Sequence, residues 1–164
     1  MVGSVADGVE RPLDPRSINV QRIAGAITSA LIGGVTLIAL VVRLIASRPT
    51  RGEVVLLLLA WLALVASIGA LGWLWPPLSF RHAFWRIDAS GMRIRRGVVW
   101  RSIVSIPRSR VQHTDVRQGP VERAFGLATL VVHTAGTEHA SIALSGVAHD
   151  TALAIRDHLI DVQT

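Results

Sequence analysis

The sequence predicts an α+β membrane protein, in which a two-helix transmembrane hairpin is followed by an antiparallel β-domain with a C-terminal capping helix. Three observations predict this class. Two long uncharged apolar segments lie in the first half of the chain, strand-like runs fill most of the second half, and a segment with helical spacing ends it. The 164 residues are 51% hydrophobic and only 17% charged, which is too apolar for an ordinary soluble domain.

The two apolar segments are long enough to cross a bilayer. The first runs from Ile23 to Val42 and the second from Val54 to Trp75, and neither contains a charge. A hydrocarbon core of about 30 Å needs about 20 helical residues. A signal peptide has a shorter apolar region, and a soluble core helix would need a polar face that both segments lack. We therefore predict membrane helices over residues 23–42 and 54–75, the second ended by Pro76-Pro77.

The short connection between the spans predicts their topology. Only residues 43–53 separate them, so the helices form an antiparallel hairpin in the cell membrane and both termini lie on one side. Eight arginines flank the hairpin on the side of the termini and three lie in the loop, so the positive-inside rule places both termini in the cytoplasm. The eight are Arg11, Arg16, Arg22, Arg81, Arg86, Arg93, Arg95 and Arg96, and the three are Arg43, Arg48 and Arg51.

Small and aromatic residues mark the spans further. Gly25, Ser29 and Gly33 recur at four-residue spacing in the first span, and similar stripes occur in the second. Such stripes let helices approach closely in lipid, either within the hairpin, which we favour, or between copies of the chain. Trp73 and Trp75 lie where interfacial aromatic anchors are expected.

Residues 1–22 lack apolar periodicity. They mix Gly, Pro and Ser with both signs of charge, as segments without a packed core do. We therefore predict a disordered cytoplasmic tail ahead of the first span.

Residues 76–164 predict one small cytoplasmic domain of six strands and a closing helix. Asp88-Ala89-Ser90-Gly91 forms a turn between the first two strands, and Ala135-Gly136-Thr137 forms a turn between the last two. In the final segment Ala148, Ala152, Ile155 and Leu159 fall on one helix face. The strand-like runs are residues 80–87, 92–98, 100–106, 111–118, 127–134 and 138–144.

The second half of the chain also resembles a known family. The segments RIRRGVVWRSIVSIPRSRVQHTDV (Arg93 to Val116) and QGPVERAFGLATLVVHTAG (Gln118 to Gly136) are similar to the bacterial pleckstrin-homology (PH) domains often called membrane-flanked or YdbS-like domains. The resemblance covers about residues 80–160. It implies a PH-like antiparallel β-barrel or sandwich with a C-terminal capping helix, preceded by a membrane hairpin, and it implies no agreed enzymatic activity.

The most specific part of this resemblance is the signature Gly119, Pro120, Gly126 and Leu127, which also has a physical explanation. Gly119-Pro120 ends a strand with a fixed turn, and residues 121–125 can form one helical turn. Gly126 then lets the chain re-enter the sheet at Leu127. We expect these residues to define the fold rather than to bind a ligand.

Positive charge is concentrated in the first part of the domain. Ten arginines and three acidic residues lie between Pro76 and Gly126, whereas one arginine and four acidic residues follow. Three interpretations stay open: solvated residues that aid solubility and topology, contacts to anionic lipid headgroups, or a surface for an acidic protein partner. The candidate binding face consists of Arg93, Arg95, Arg96, Arg101, Arg108 and Arg110.

The sequence predicts neither a catalytic set nor a metal or cofactor. Without cysteine the chain excludes thiolate nucleophiles and Cys-ligated metals. His133 and His139 face each other across the predicted last hairpin, with His149-Asp150 near the helix start, but surface or hydrogen-bonded histidines are the better interpretation. Nucleic-acid binding is not expected, because no helix-turn-helix, RNP-like aromatic pair or zinc module accompanies the arginines.

The sequence therefore predicts a non-enzymatic integral membrane protein. Its cytoplasmic PH-like domain is expected to bind a protein partner, or another copy of the chain, through an exposed sheet edge or a groove beside the closing helix. The alternative is that the Arg-rich face senses anionic phospholipid headgroups.

Overall fold

Two long helices and a β-rich unit make up the chain, of which the computed structural model describes residues 6–47, 49–135 and 141–160. The chain divides into two units. One comprises Gln21–Pro76, and the other combines Met1–Val20 with Pro77–Thr164. The N-terminal residues therefore belong to the same unit as the C-terminal half.

Helix α1 spans Ser17–Ser47 and helix α2 spans Arg51–Phe80, with 31 and 30 residues. At 1.5 Å per residue each is about 45 Å long, which exceeds a hydrocarbon core of about 30 Å. Both helices extend beyond the predicted spans, residues 23–42 and 54–75. The apolar pattern marks only the part that lipid would surround, whereas the hydrogen-bonded backbone continues into the polar flanks.

The apolar side chains of α1 and α2 are exposed. In the most apolar stretch of each helix, 11% of the residues in α1 and 0% in α2 are buried. A core helix of a soluble protein would bury them, so this exposure indicates that lipid is their solvent. Elsewhere in the described part of the chain, the exposed large hydrophobic residues are Val9, Val99, Trp100, Ile103 and Ile160.

Small residues bring α1 and α2 together. A Cβ atom added at Gly25 would lie 3.0 Å from the Cα of Gly72, so the two backbones meet at this point. A Cβ atom at Gly33 would lie 3.4 Å from the side chain of Val65. The favoured interpretation of the small-residue stripe, packing within the hairpin, is confirmed at these two glycines.

Helix α2 continues through Pro76-Pro77, so the prediction that it ends at this pair is wrong. Pro77 has no N–H to donate to the carbonyl of Trp73, four residues earlier. The Nε atom of Arg22 donates to that carbonyl instead, at 3.4 Å, and its guanidinium lies 4.2 Å from the centroid of the Trp73 ring. A side chain from α1 thus offsets part of what the proline removes.

Seven short strands form two antiparallel sheets, and the strand order in each follows the chain. The first sheet comprises β1 (Arg11–Pro12), β2 (Phe84–Asp88), β3 (Gly91–Arg96) and β4 (Ser102–Pro107). The second comprises β5 (Val111–Arg117), β6 (Leu127–Thr134) and β7 (Ser141–Ala148). Among the described residues the sheets do not close into a barrel, so the sandwich form of the prediction fits better.

Two further helices complete the unit, α3 (Pro120–Ala124) and α4 (His149–Ile160). All six predicted strands are present. The last, predicted over residues 138–144, is described from Ser141 and continues beyond the predicted end to Ala148. The predicted turn at Ala135-Gly136-Thr137 falls partly on residues 136–140, outside the described residues.

One hydrophobic core joins both sheets and α4. Alternation along β2 buries Trp85 and Ile87, and the inner faces of β6 and β7 add fully buried leucine and valine residues. Helix α4 contributes Ala152, Ile155 and Leu159, which the helical spacing predicted to share one face. Ala148, predicted on the same face, is instead the last residue of β7. The C-terminal helix therefore caps the sheets as expected.

The N-terminal segment packs on this core. The prediction of a disordered tail over residues 1–22 is therefore wrong for residues 6–20. Arg11 pairs with Trp85 across β1 and β2, and Leu13 is buried. The N–H of Asp14 donates to the carbonyl of Gly146 at 2.8 Å. A strand of two residues, one of them proline, has no periodicity by which the sequence could reveal it.

Gly146 is a sensitive point of this contact, because its φ is +80° and an added Cβ would lie 2.8 Å from the Cβ of Ser17. We expect Gly146→Ala to lower the free energy of unfolding by about 1–3 kcal/mol, through backbone strain and displacement of the N-terminal segment. Thermal unfolding of the purified full-length chain in mild detergent measures this. Gly52→Ala is the control, since nothing lies within 4 Å of its added Cβ. Equal melting temperatures for the two variants would contradict the expectation.

Candidate functional site

Strand β3 places its arginines on two sides of the first sheet. Met92 and Ile94 are buried, whereas Arg93 and Arg95 between them are exposed. Arg96, two residues after Ile94, is also exposed, although the alternation would place it on the buried side. Partial desolvation of its guanidinium lowers the pKa of that group.

Arg96 and Arg108 both join elements of the fold. The Nη2 atom of Arg96 donates to the carbonyl of Ala143 in β7 and so links the two sheets. The Nη2 atom of Arg108 donates to the carbonyl of His158 in α4. These two of the six predicted binding residues therefore connect separate elements of the domain.

A pocket of about 320 Å³ lies beside the end of β3. Four arginines and one histidine contribute to its lining, and none of the described residues that line it is acidic. Arg81 and His82 directly follow the end of α2, whereas Arg101 lies in the connection between β3 and β4. The lining residues are Arg81, His82, Phe84, Arg95, Arg96, Gly97, Arg101 and Ile103.

The positive charge of this basic pocket is only partly compensated. Arg95 forms an ion pair with Glu10 at 3.4 Å, and its guanidinium lies 4.9 Å from the centroid of the Phe84 ring. Within the described chain, the side chains of Arg81 and Arg101 form no hydrogen bond or ion pair. Guanidinium groups bind phosphate through paired N–H donors, so the pocket suits a phosphate group.

The connection between β3 and β4 presents apolar side chains next to the basic pocket. Gly97 has a φ of +122°, and an added Cβ would lie 1.7 Å from the carbonyl oxygen of Trp100, so only glycine permits this tight turn. Val99 and Trp100 are 74% and 88% exposed. This apolar tip, Val99 and Trp100, has the composition of a segment that enters a membrane interface.

The remaining predicted arginines lie outside the basic pocket. The Nε atom of Arg93 donates to the Oγ atom of Ser105 at 3.2 Å, beside a separate, smaller pocket. Arg110 ends a short 3₁₀ turn, where its side chain has no partner among the described residues. The structure thus brings Arg95, Arg96 and Arg101 together and leaves the others apart.

Sequence reasoning missed two residues of the pocket, Arg81 and His82. In the sequence-based prediction, Arg81 served only as one of the arginines that orient the two spans in the membrane. Its position directly after a membrane helix was the available signal, because a cation at that point lies close to the headgroups.

The signature residues lie where the chain turns from β5 into β6. The N–H of Gly119 donates to the Oε2 atom of Glu122 at 2.9 Å, and Pro120 occupies the first position of α3. Gly126 has a φ of +67°, and Leu127 is fully buried. These contacts support their interpretation as residues that define the fold.

The histidines are grouped differently from the prediction. His133 lies with His113 and Asp115, and the ligand atoms of these three residues lie within 4.8 Å of one another. His149 belongs to no such group among the described residues. His139 lies outside the described residues.

Two lipid-exposed helices, an open antiparallel sandwich and a capping helix define the class of this molecule: a membrane protein with a PH-like domain. The model of a family described as "Bacterial PH domain" matches residues 22–163, and the chain belongs to that family. The resemblance drawn from the signature is thereby confirmed.

A curated relative supports the same assignment. The chain is 38% identical over 66 residues to the UPF0699 transmembrane protein YdbS of Bacillus subtilis (strain 168). The match covers 39% of this chain and 42% of that protein. No solved structure gives a significant match.

The structural and binding roles of the arginines can be separated by stability. We expect Arg96→Ala to lower the free energy of unfolding by about 1–2 kcal/mol, because the hydrogen bond that links the sheets is lost. We expect Arg101→Ala to change it by less than about 0.5 kcal/mol, since Arg101 is exposed and unpaired among the described residues. Thermal unfolding of both full-length variants in detergent tests this, and equal destabilisation would refute the distinction.

Proposed function

We propose that this protein is a non-enzymatic integral membrane protein whose PH-like domain binds anionic phospholipid headgroups at the cytoplasmic leaflet. The observation that carries the proposal is the basic pocket of four arginines beside the exposed Val99 and Trp100. Membership in the bacterial PH domain family, which is not an enzyme family, supports a binding role.

The chemistry of the pocket favours a phosphate-bearing ligand. Its volume of about 320 Å³ is sufficient for a headgroup phosphate with its ester substituents. Arg81 and Arg101 offer guanidinium donors that no described residue occupies. Arg96 adds a further guanidinium to the lining, beside the Nη2 donor that it directs to the carbonyl of Ala143.

The apolar tip favours a membrane surface over a soluble anion. Full burial of a side chain such as Val contributes about 1.5–3 kcal/mol. Each arginine close to an anionic leaflet adds about 1 kcal/mol. A soluble phosphate compound would use the arginines alone and leave Val99 and Trp100 in water.

The chain connectivity also favours a membrane lipid as the ligand that carries the phosphate. Arg81 follows Trp75 by six residues, so even an extended chain would hold it within about 20 Å of the end of the second span. The positive-inside count supports both termini in the cytoplasm, and the cytoplasmic leaflet is the one rich in anionic lipid.

A protein partner, including a second copy of the chain, is the second candidate. Strand β4 is the edge of the first sheet and, among the described strands, pairs only with β3. It carries Ile103, which is 63% exposed. An open edge with an exposed apolar side chain can accept a further strand.

Quenching by brominated lipids tests the lipid proposal. The full-length chain is reconstituted into bilayers of neutral lipid or of neutral lipid with a third phosphatidylglycerol, and the Trp100 signal is obtained by subtracting the fluorescence of Trp100→Phe. We expect stronger quenching of Trp100 in the anionic bilayer and a decrease with added salt. Arg101→Ala and Arg81→Ala are each expected to lower the ratio of chains with Trp100 in the bilayer to chains with Trp100 in water. The expected decrease is about fivefold, corresponding to about 1 kcal/mol.

Arg110→Ala is the matched control, because it removes the same charge outside the basic pocket. Quenching that is equal in neutral and anionic bilayers would contradict the proposal. An equal effect of all three arginine variants would show that only net charge matters and would contradict a pocket.

Thiol crosslinking tests the second candidate in the cysteine-free chain. If β4 pairs with β4 of another copy, Ile103→Cys in cell membranes should give a covalent dimer with a short bifunctional reagent, because paired strands lie about 5 Å apart. Arg110→Cys, exposed on the same unit, is the control. The absence of a dimer specific to position 103 would exclude self-association through this edge.

A further inference from the structure

The outer face of the second sheet holds a cluster of potential metal ligands. His113 in β5 lies opposite His133 in β6, and Asp115 lies opposite Val131. Residues two apart on a strand share a face, so Asp115 lies on the same face as His113 and His133. Thr114, between them, is buried toward the core. The pairing of two strands thus brings two imidazoles and one carboxylate together.

The separation of two ligand atoms fits a tetrahedral ion. The Nε2 atom of His133 lies 3.4 Å from the Oδ2 atom of Asp115. Two atoms that each lie about 2.05 Å from a tetrahedral zinc are about 3.3 Å apart. The observed separation therefore matches an edge of the coordination tetrahedron and is longer than an ordinary hydrogen bond.

The His133 nitrogen is a buried polar atom without a hydrogen bond to any described residue. Its Nε2 atom is shielded from solvent, although the side chain as a whole is 25% exposed. Buried nitrogen atoms normally have a partner. An ion between His133 and Asp115 would supply one.

The third ligand can reach the same point. The rings of His113 and His133 are stacked, with their centroids 4.1 Å apart. His113 is exposed, so its ring has room to rotate until a nitrogen faces the ion. The Nη2 atom of Arg117 lies 3.4 Å from the Oδ2 atom of Asp115, and this exposed side chain can withdraw when an ion neutralises the carboxylate.

We propose that His113, Asp115 and His133 form a binding site for a divalent transition-metal ion of the zinc class. Two imidazoles select such ions over Mg²⁺ and Ca²⁺, which prefer oxygen ligands. Three protein ligands leave one coordination position for water or another donor. The site shares no residue with the basic pocket, so it is independent of the proposed lipid binding.

Titration of the full-length chain with Zn²⁺ tests the site. The chain, prepared without a histidine tag and freed of metal, is titrated calorimetrically in mild detergent. We expect one Zn²⁺ to bind per chain, and excess Mg²⁺ not to compete. His133→Ala, His113→Ala and Asp115→Asn should each weaken the binding at least about tenfold.

His82→Ala is the control, since it removes a histidine whose Nδ1 atom contacts the carbonyl of Leu78, away from the cluster. Circular dichroism checks that each variant folds. If His133→Ala does not fold, the exposed His113 keeps the test decisive. A chain that binds no Zn²⁺, or that binds it equally in wild type and the folded ligand variants, would overturn the proposal.

Discussion

Exposure of the apolar side chains of α1 and α2 is the constraint on which the rest of the molecule depends. Leu56 and Leu74 are 69% and 67% exposed, and water around such surfaces would cost about 25 cal/mol for each Å². A bilayer removes this cost, and it also explains the close approach at Gly25 and Gly72, because packing in lipid relies on backbone proximity. Membrane anchoring also allows weak contacts between the PH-like domain and the membrane surface to contribute to binding, since the anchor keeps the effective concentration of the domain at that surface high.

Local signals made much of the fold predictable. Alternation located the strands, helical spacing identified the buried face of α4, and Gly126 was recognised because its left-handed turn depends on neighbouring residues alone. Two errors came from distant contacts. Strand β1 exists because residues 11 and 12 meet β2, some 70 residues away, and α2 passes Pro77 with a hydrogen bond supplied by Arg22 in the other helix.

The candidate sites were less predictable because each requires strands to meet in a specific register. The histidine pair depends on a bulge in β5 between Val111 and His113, which sets the residues that face outward beyond it. The predicted turn of three residues placed His133 opposite His139, whereas His133 pairs with Ser141 in β7 and with His113 in β5. The basic pocket likewise combines Arg81, after a membrane helix, with Arg101, in a turn, and their sequence separation carries no sign of this proximity.

Arg96 links the proposed binding to the stability of the fold. It lines the basic pocket and also donates to the carbonyl of Ala143, so one guanidinium serves both the ligand site and the junction of the sheets. Because a ligand that binds only the folded state stabilises that state, headgroup binding would also stabilise the junction between β3 and β7. The domain would then be held together most firmly when it is docked on the leaflet.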